Sequence, residues 1–135
     1  MVPGVPNLAP CLMFVGDVCG RAREAIDLYV AALPGSEVLD VQRSEDEKLV
    51  THARVRLAGT EVAVMDSPAP HAFGFTPAMS LFVDLDDEAA VDAAWAVLSK
   101  DGETLMPLQA WPFSSRFGWC NDRFGVSWQL RLAEG

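Results

Sequence analysis

The chain has 135 residues, half of them hydrophobic, and its 19 acidic side chains outnumber 10 basic ones, for a formal net charge of −9. This length and composition fit a single globular domain spanning 1–135, which excludes a disordered chain. The shortage of Lys and Arg argues against nucleic acid or an anionic membrane surface as partner. No window approaches the roughly 20 apolar residues of a membrane span, and the N-terminus lacks a signal-peptide pattern, so we expect a cytoplasmic protein.

The first half of the chain has the pattern of a strand, a helix and three strands. The apolar run 11–15 predicts a buried strand, and residues 22–33 carry apolar side chains at helical spacing before the stop signal Pro34-Gly35. The next three predicted strands are 37–42, 52–57 and 61–65. The turn at 58–60 joins the last two as a hairpin.

The second half repeats this order after a connector at 68–78, which is too rich in proline for a central strand. The predicted elements are a strand at 81–83, a helix reaching 98, and strands at 104–110, 116–119 and 126–132. Phe14 precedes Phe82 by 68 positions, and Gly35 precedes Gly102 by 67. Near-constant offsets indicate a duplicated unit, with modules at 9–67 and 79–132.

Alternation in the last strand separates its side chains into two sets. Trp128 and Leu130 share a face that packs, which sends Gln129 to the opposite face. An amide in mid-strand is either a cavity group that needs hydrogen-bond partners or a plain surface group. Trp119 and Trp128 suggest a sheltered neighbourhood and favour the cavity.

The run 111–119 is rich in aromatic residues. Trp111, Phe113, Phe117 and Trp119 form either a rigid wall for a flat or apolar ligand or a part of the core.

Two further groups are candidates for binding. Asp66, at the end of a strand, either caps the turn before Ser67 or projects into a hollow beside Gln129. His52, Arg54 and Arg56 alternate with apolar residues, so they form either a cationic wall for an anionic ligand or a solvated strand face.

Other kinds of site lack support in the sequence. There is no nucleotide-binding glycine motif, no phosphate-binding loop and no serine nucleophile elbow. The three cysteines form no Cys-x-x-Cys pair, so we expect reduced thiols. The only two histidines, His52 and His71, lie in a strand and a loop, and no motif fixes them for an iron site.

Several segments together resemble the PhnB-like family of the vicinal oxygen chelate superfamily, which includes glyoxalases, bleomycin-resistance proteins and extradiol dioxygenases. They are Pro10-Cys11-Leu12-Met13-Phe14, Ala25-Ile26-Asp27-Leu28-Tyr29, Met65-Asp66-Ser67, Ser80-Leu81-Phe82-Val83 and Phe113-Ser114 with the run from Phe117 to Leu130. The resemblance spans roughly 9–132. It implies an α+β fold of two βαβββ modules that form a cupped mixed sheet with helices outside, in a homodimer with a ligand or metal in each cup.

In metal-dependent members the resemblance places the ligands at about Pro10, Ala78, Met65 or Asp66, and Gln129. Pro10 and Ala78 have no coordinating side chain, and a divalent ion needs at least three good protein ligands. We therefore predict a cup without a tightly held metal or other cofactor, in which Gln129, Asp66 and the tryptophans line a small-molecule pocket.

Three hypotheses remain: a metal-independent binding module, a lyase, isomerase or dioxygenase that recruits a metal through its substrate, and a structural or regulatory dimer with a filled cup. PhnB-like sequences often carry a demethylubiquinone methyltransferase label. The sequence has no glycine-rich strand-to-helix turn for a nucleoside-type methyl donor, so that label has no physical support in the residues.

Overall fold

The computed structural model describes residues 3–134, which form eight strands, two α-helices and a short 3₁₀ turn at Gly16–Val18. In chain order these are β1 (Cys11–Phe14), α1 (Ala22–Ala32), β2 (Glu37–Arg43), β3 (Val50–Leu57), β4 (Thr60–Asp66), β5 (Ser80–Leu85), α2 (Glu88–Leu98), β6 (Glu103–Trp111), β7 (Ser114–Asn121) and β8 (Ser127–Leu132). Every element predicted from the sequence is present, with ends that differ by at most three residues.

The strands form two four-stranded mixed sheets with the same topology. The first has the order β1-β4-β3-β2 and the second β5-β8-β7-β6, and in each the first pair is parallel and the others antiparallel. The predicted α+β class and the duplicated unit are confirmed. Within 3–134 the two sheets remain separate, because no ladder joins them.

Each helix covers one face of its own sheet. The buried residues of α1, which include Ile26 and Tyr29, face β3 and β4, while α2 packs on β7 and β8 through Val91, Ala94 and Leu98. The two helices also touch each other, so the buried side chains of both halves form one continuous hydrophobic cluster. None of the helices in the described part of the chain is long and apolar enough to span a membrane.

No helix of residues 3–134 covers the opposite side of the second sheet, and we call this side the open face. An added Cβ on Gly118 would lie 2.6 Å from the indole of Trp95 in α2, so Gly118 faces the helix. Successive strand residues point to opposite sides, and Phe117 and Trp119 therefore lie on the open face. On β8 the buried Trp128 and Leu130 face the helices. The open face of β8 accordingly carries a set of three residues: Ser127, Gln129 and Arg131.

Candidate functional site

Gln129 lies in the middle of a row of side chains that crosses the open face. Strand register pairs it with Phe82 on one side and with Trp119 on the other, and Trp119 pairs in turn with Met106. Gln129 is half-buried, and its amide makes no hydrogen bond with any residue of 3–134. An amide group with free donors and a free acceptor therefore lies between two aromatic side chains.

The indole of Trp119 is held in place by a hydroxyl pair. Its Nε1–H donates to Ser127 Oγ at 2.8 Å, and Ser127 Oγ lies 2.7 Å from Ser80 Oγ. Ser127 is 1% exposed, so this hydroxyl sits in a rigid environment. The ring beside Gln129 is thereby fixed before any ligand arrives.

Four aromatic side chains continue the row toward the β6–β7 turn. Phe82 lies with its ring centroid 6.2 Å from that of Phe117, Phe117 lies 5.1 Å from Phe113, and Phe113 stacks at 6.3 Å on Trp111. Phe82 and Phe113 are 50% and 59% exposed. The indole of Trp111 donates to the carbonyls of Pro107 and Phe117, which fixes that ring as well. The predicted aromatic wall thus lies on the same face as Gln129.

Arg131 is the guanidinium beside this row, and its charge is already compensated. Its Nε donates to Asp84 Oδ1 at 2.7 Å, and its guanidinium carbon lies 5.2 Å from the centroid of the Phe82 ring. The Asp84 carboxylate also contributes most to raising the pKa of Arg131. The ion pair holds the Phe82 ring from one side.

A cavity of about 280 Å³ adjoins the serine pair, between the outer edges of β1 and β5. Its lining includes Cys11, Phe75, Met79, Ser80 and Ser127. The open face is thus continuous, at the seam between β1 and β5, with a partly open pocket.

Asp66 is not part of this row, and the proposed position beside Gln129 is corrected. Its Oδ1 accepts from the backbone N–H groups of Gly20 and Ala22 at 2.7 and 3.2 Å, and its Oδ2 accepts from Val50 N–H at 2.9 Å. It is 4% exposed, on the face of β4 that α1 covers. The carboxylate satisfies the unpaired donors at the start of α1, where negative charge is favourable. Asp66 therefore caps the start of α1 and not the turn before Ser67.

His52 and Arg54 lie on β3 of the first sheet, and no hydrogen bond or ion pair in 3–134 joins them to the row around Gln129. Arg54 pairs with Glu61 at 2.6 Å, and the neighbouring Arg56 pairs with Glu37. The two guanidinium groups are therefore neutralised by adjacent strands, and a free cationic wall does not form there.

The Cys19 and Cys120 thiols are not activated as nucleophiles. Burial raises the pKa of the Cys120 thiol to about 12, and burial together with the Asp66 charge raises the pKa of Cys19. His71 Nε2 lies 2.8 Å from Ser67 Oγ, at an exposed position in the connector. A raised pKa disfavours the thiolate, which is the reactive form.

One protein family and several solved structures match this chain. Residues 6–131 match the family described as 3-demethylubiquinone-9 3-methyltransferase. The chain belongs to this family. A PhnB protein from Bacillus cereus is 41% identical, with 95% of this chain and 100% of that chain covered and a TM-score of 0.87. No curated protein matches.

More distant structures share the fold alone. Protein PA1353 from Pseudomonas aeruginosa is 23% identical over 97% of this chain and 100% of that chain, with a TM-score of 0.77. A glyoxylase/bleomycin resistance protein/dioxygenase domain from Frankia sp. EAN1pec is 12% identical over 97% and 94%, with a TM-score of 0.66. The PhnB-like protein thus has the glyoxalase/bleomycin-resistance/dioxygenase fold.

The positions that hold a metal in metal-dependent relatives do not fit one in this PhnB-like protein. Pro10 and Ala78 lack side-chain donors, and the Asp66 oxygens are committed to three backbone N–H groups. Residues 3–134 contain no group of three or more His, Cys, Asp or Glu side chains placed to hold an ion. A single amide, Gln129, is too small a donor set for a divalent cation.

Sequence reasoning did not identify Phe82 and Ser80 as neighbours of Gln129 in this PhnB-like chain, nor the hydrogen bond that joins Ser127 to Trp119. Phe82 and Ser80 become neighbours of β8 only through the parallel pairing of β5 with β8. A parallel pairing between distant segments leaves no alternation signal that would give its register.

Proposed function

We propose that this protein binds a small aromatic molecule on the open face of its second sheet. The observation that carries the proposal is the half-buried amide of Gln129, without a partner in 3–134, between Trp119 and Phe82. A polar group with unused donors and acceptor in an apolar setting is the usual way in which a ligand site fixes orientation. The aromatic row supplies the apolar contact.

The preorganisation of the row supports binding. The Trp119 indole is held by Ser127, Trp111 by two carbonyls and Phe82 by Arg131. Rings that are fixed in the free protein lose little conformational entropy when a ligand packs on them. The seam cavity of about 280 Å³ leaves room for a substituent beside the serine pair.

The family description names a methyltransferase, and the first strand-to-helix loop bears on that reading. In nucleotide-binding folds the helix N-terminus after the first strand is the anion site. Here Asp66 occupies that position from within the protein, through Gly20 and Ala22 N–H. That helix N-terminus is therefore not open to an anionic ligand group, and together with the lack of a glycine-rich strand-to-helix turn in the sequence this favours a binding module over methyl transfer.

A homodimer is the second part of the proposal. Large apolar side chains outside the core are widely exposed, among them Leu8 at 88%, Phe73 at 61% and Met79 at 62%. Burial of these side chains between two copies would remove apolar surface from water, which favours association. Light scattering coupled to size-exclusion chromatography should give twice the 14.6 kDa chain mass, and a monomer mass at micromolar concentration would contradict it.

The binding proposal is tested by titrating ¹⁵N-labelled protein with neutral aromatic compounds and following the Trp119 indole and Gln129 side-chain amide resonances. Both signals should shift together with one dissociation constant. Gln129→Leu should weaken binding about tenfold, since the loss of a hydrogen-bonding site of this type is worth roughly 1–2 kcal/mol. Gln42→Leu, on an exposed edge of the first sheet, is the matched control and should leave affinity unchanged. Equal affinities for both variants would reject the site.

A further inference from the structure

We propose that the ligand of this site is a neutral aromatic compound that carries a carboxamide or lactam edge, and not an anion. The inference rests on the proposed function and concerns the chemical class that the same site selects. It uses two observations: the charge on the open face, and the hydrogen-bonding groups of Gln129.

Among residues 3–134, the open face has no uncommitted cation beside the row. Arg131 is bound to Asp84 at 2.7 Å and covers Phe82. The guanidinium groups on the first sheet are paired with Glu61 and Glu37. A carboxylate or phosphate ligand would have to displace one of these acids and would approach a protein of net charge −9. The electrostatics therefore select against anions.

The amide of Gln129 is complementary to a ligand group that has both a hydrogen-bond donor and an acceptor. Its Oε1 accepts and its Nε2 donates, side by side in one plane. A carboxamide or lactam presents the complementary pair and makes two parallel hydrogen bonds. A carboxylate offers acceptors only and leaves Oε1 opposed to a lone pair, whereas an amidinium offers donors only and leaves Nε2 opposed to N–H groups.

The flanking rings select a flat aromatic body on that edge. Trp119 and Phe82 lie on the two strands that neighbour β8, and adjacent strands are about 4.8 Å apart. A ligand that meets the Gln129 amide is therefore flanked by an aromatic side chain on each neighbouring strand. Gln129 thus binds the carboxamide edge, and the neighbouring Trp119 and Phe82 contact the aromatic body.

The inference is tested with three compounds that share one ring system: 2-naphthamide, 2-naphthoate and 2-naphthamidine. Dissociation constants are measured at pH 7 from the Trp119 indole resonance of the full-length protein. The amide should bind at least tenfold more tightly than either charged analogue. Preference for 2-naphthoate would overturn the inference.

Two substitutions of Gln129 distinguish its preference for a carboxamide from its contribution to binding in general. Gln129→Glu replaces the donor by an acceptor and should reverse the order, so that 2-naphthamidine binds at least tenfold more tightly than 2-naphthamide. Gln129→Met removes both hydrogen-bonding groups at similar volume, and it should remove the preference for 2-naphthamide over 2-naphthamidine, whereas the charge of the protein should keep 2-naphthoate the weakest of the three. Thermal unfolding of each variant checks that it is folded, and the Met variant keeps the test decisive if the Glu variant is not.

The outcomes distinguish this inference from the proposed function. If the wild type binds all three compounds equally and Gln129→Leu weakens all three, the ligand class is wrong and the binding site stands. If none of the three compounds shifts the Trp119 resonance at millimolar concentration, both are overturned.

Discussion

The hydroxyl of Tyr29 donates a 2.6 Å hydrogen bond to Asp122 Oδ2, and this bond joins the helix of the first module to the β7–β8 turn of the second. Asp122 also accepts from Trp128 Nε1 and from the backbone N–H groups of Phe124 and Val126. Burial raises the pKa of Asp122 although these donors oppose the rise. The two modules are therefore held together by a polar contact inside a hydrophobic core.

This contact predicts a loss of stability at alkaline pH. Burial and the charge of Asp122 raise the pKa of Tyr29 well above its model-compound value of 10.0. An unfolded phenol ionises near pH 10 and the folded one does so later, so the folded state binds more protons above pH 10. The stabilisation from Tyr29 is complete below pH 10 and is lost as pH rises through the folded pKa, by up to about 1.4 kcal/mol per pH unit.

The measurement is direct because Tyr29 is the only tyrosine in the chain. Absorbance at 295 nm should show no tyrosinate in the native protein at pH 10.5, and it should appear together with unfolding. Urea unfolding at pH 8 and pH 11 gives the change in the free energy of unfolding with pH. This change is compared between wild type and Tyr29→Phe. Ionisation of the native protein with the midpoint of a free phenol would refute the prediction.

Asp66 is expected to act in stability and not in binding. Asp66→Asn keeps an acceptor for Gly20 and Ala22, but it turns an NH₂ group toward the Val50 N–H. A buried donor left without an acceptor costs about 2 kcal/mol in free energy of unfolding. The affinity for 2-naphthamide should be unchanged. The control Asp27→Asn, at an exposed position of α1, the helix that Asp66 caps, should cost less than about 0.5 kcal/mol. A weaker ligand affinity at unchanged stability would favour the alternative in which Asp66 lies in the binding site beside Gln129.

Ser127 is expected to fix Trp119 in the binding site. Ser127→Ala removes the acceptor of the indole N–H, so that this proton should exchange faster with solvent and stability should fall by about 1 kcal/mol. Ser80→Ala breaks only the link between the two hydroxyls and should leave the indole exchange rate near that of wild type. Hydrogen exchange of the assigned indole resonances compares the two, and identical exchange in both variants would argue against the role.

The donor set predicts a protein without a stoichiometric metal. The protein is purified without chelators and then dialysed. Elemental analysis should show less than about 0.1 equivalent of zinc, nickel, manganese or iron, because fewer than three suitable ligands do not hold a divalent ion. Addition of these ions should leave the thermal midpoint unchanged. One equivalent of any of them, with a rise in that midpoint, would overturn the prediction.

The sequence predicts the elements of this fold well because their signals are local. Alternation in β8 places Gln129 opposite Trp128, and helical spacing finds both helices. The same alternation in β4 would have put Asp66 on the covered face with Val62 and Val64, but its position before Ser67 suggested a turn role. The pairing of Phe82 with Gln129 was beyond reach because it depends on contacts between segments 47 residues apart.

The seam between the two sheets has a consequence for how the chain is assembled. Hydrogen-bonded ladders are confined to each half, β4 ends at Asp66 and β5 begins at Ser80. A cut between Ala69 and Ala72 therefore interrupts no strand pairing, and the surfaces that must find each other afterwards are side chains such as Tyr29 and Asp122. The two halves should behave as complementing fragments that associate without a covalent link. Their dissociation on dilution gives the free energy of the interface between the modules, which cannot be measured in the intact chain.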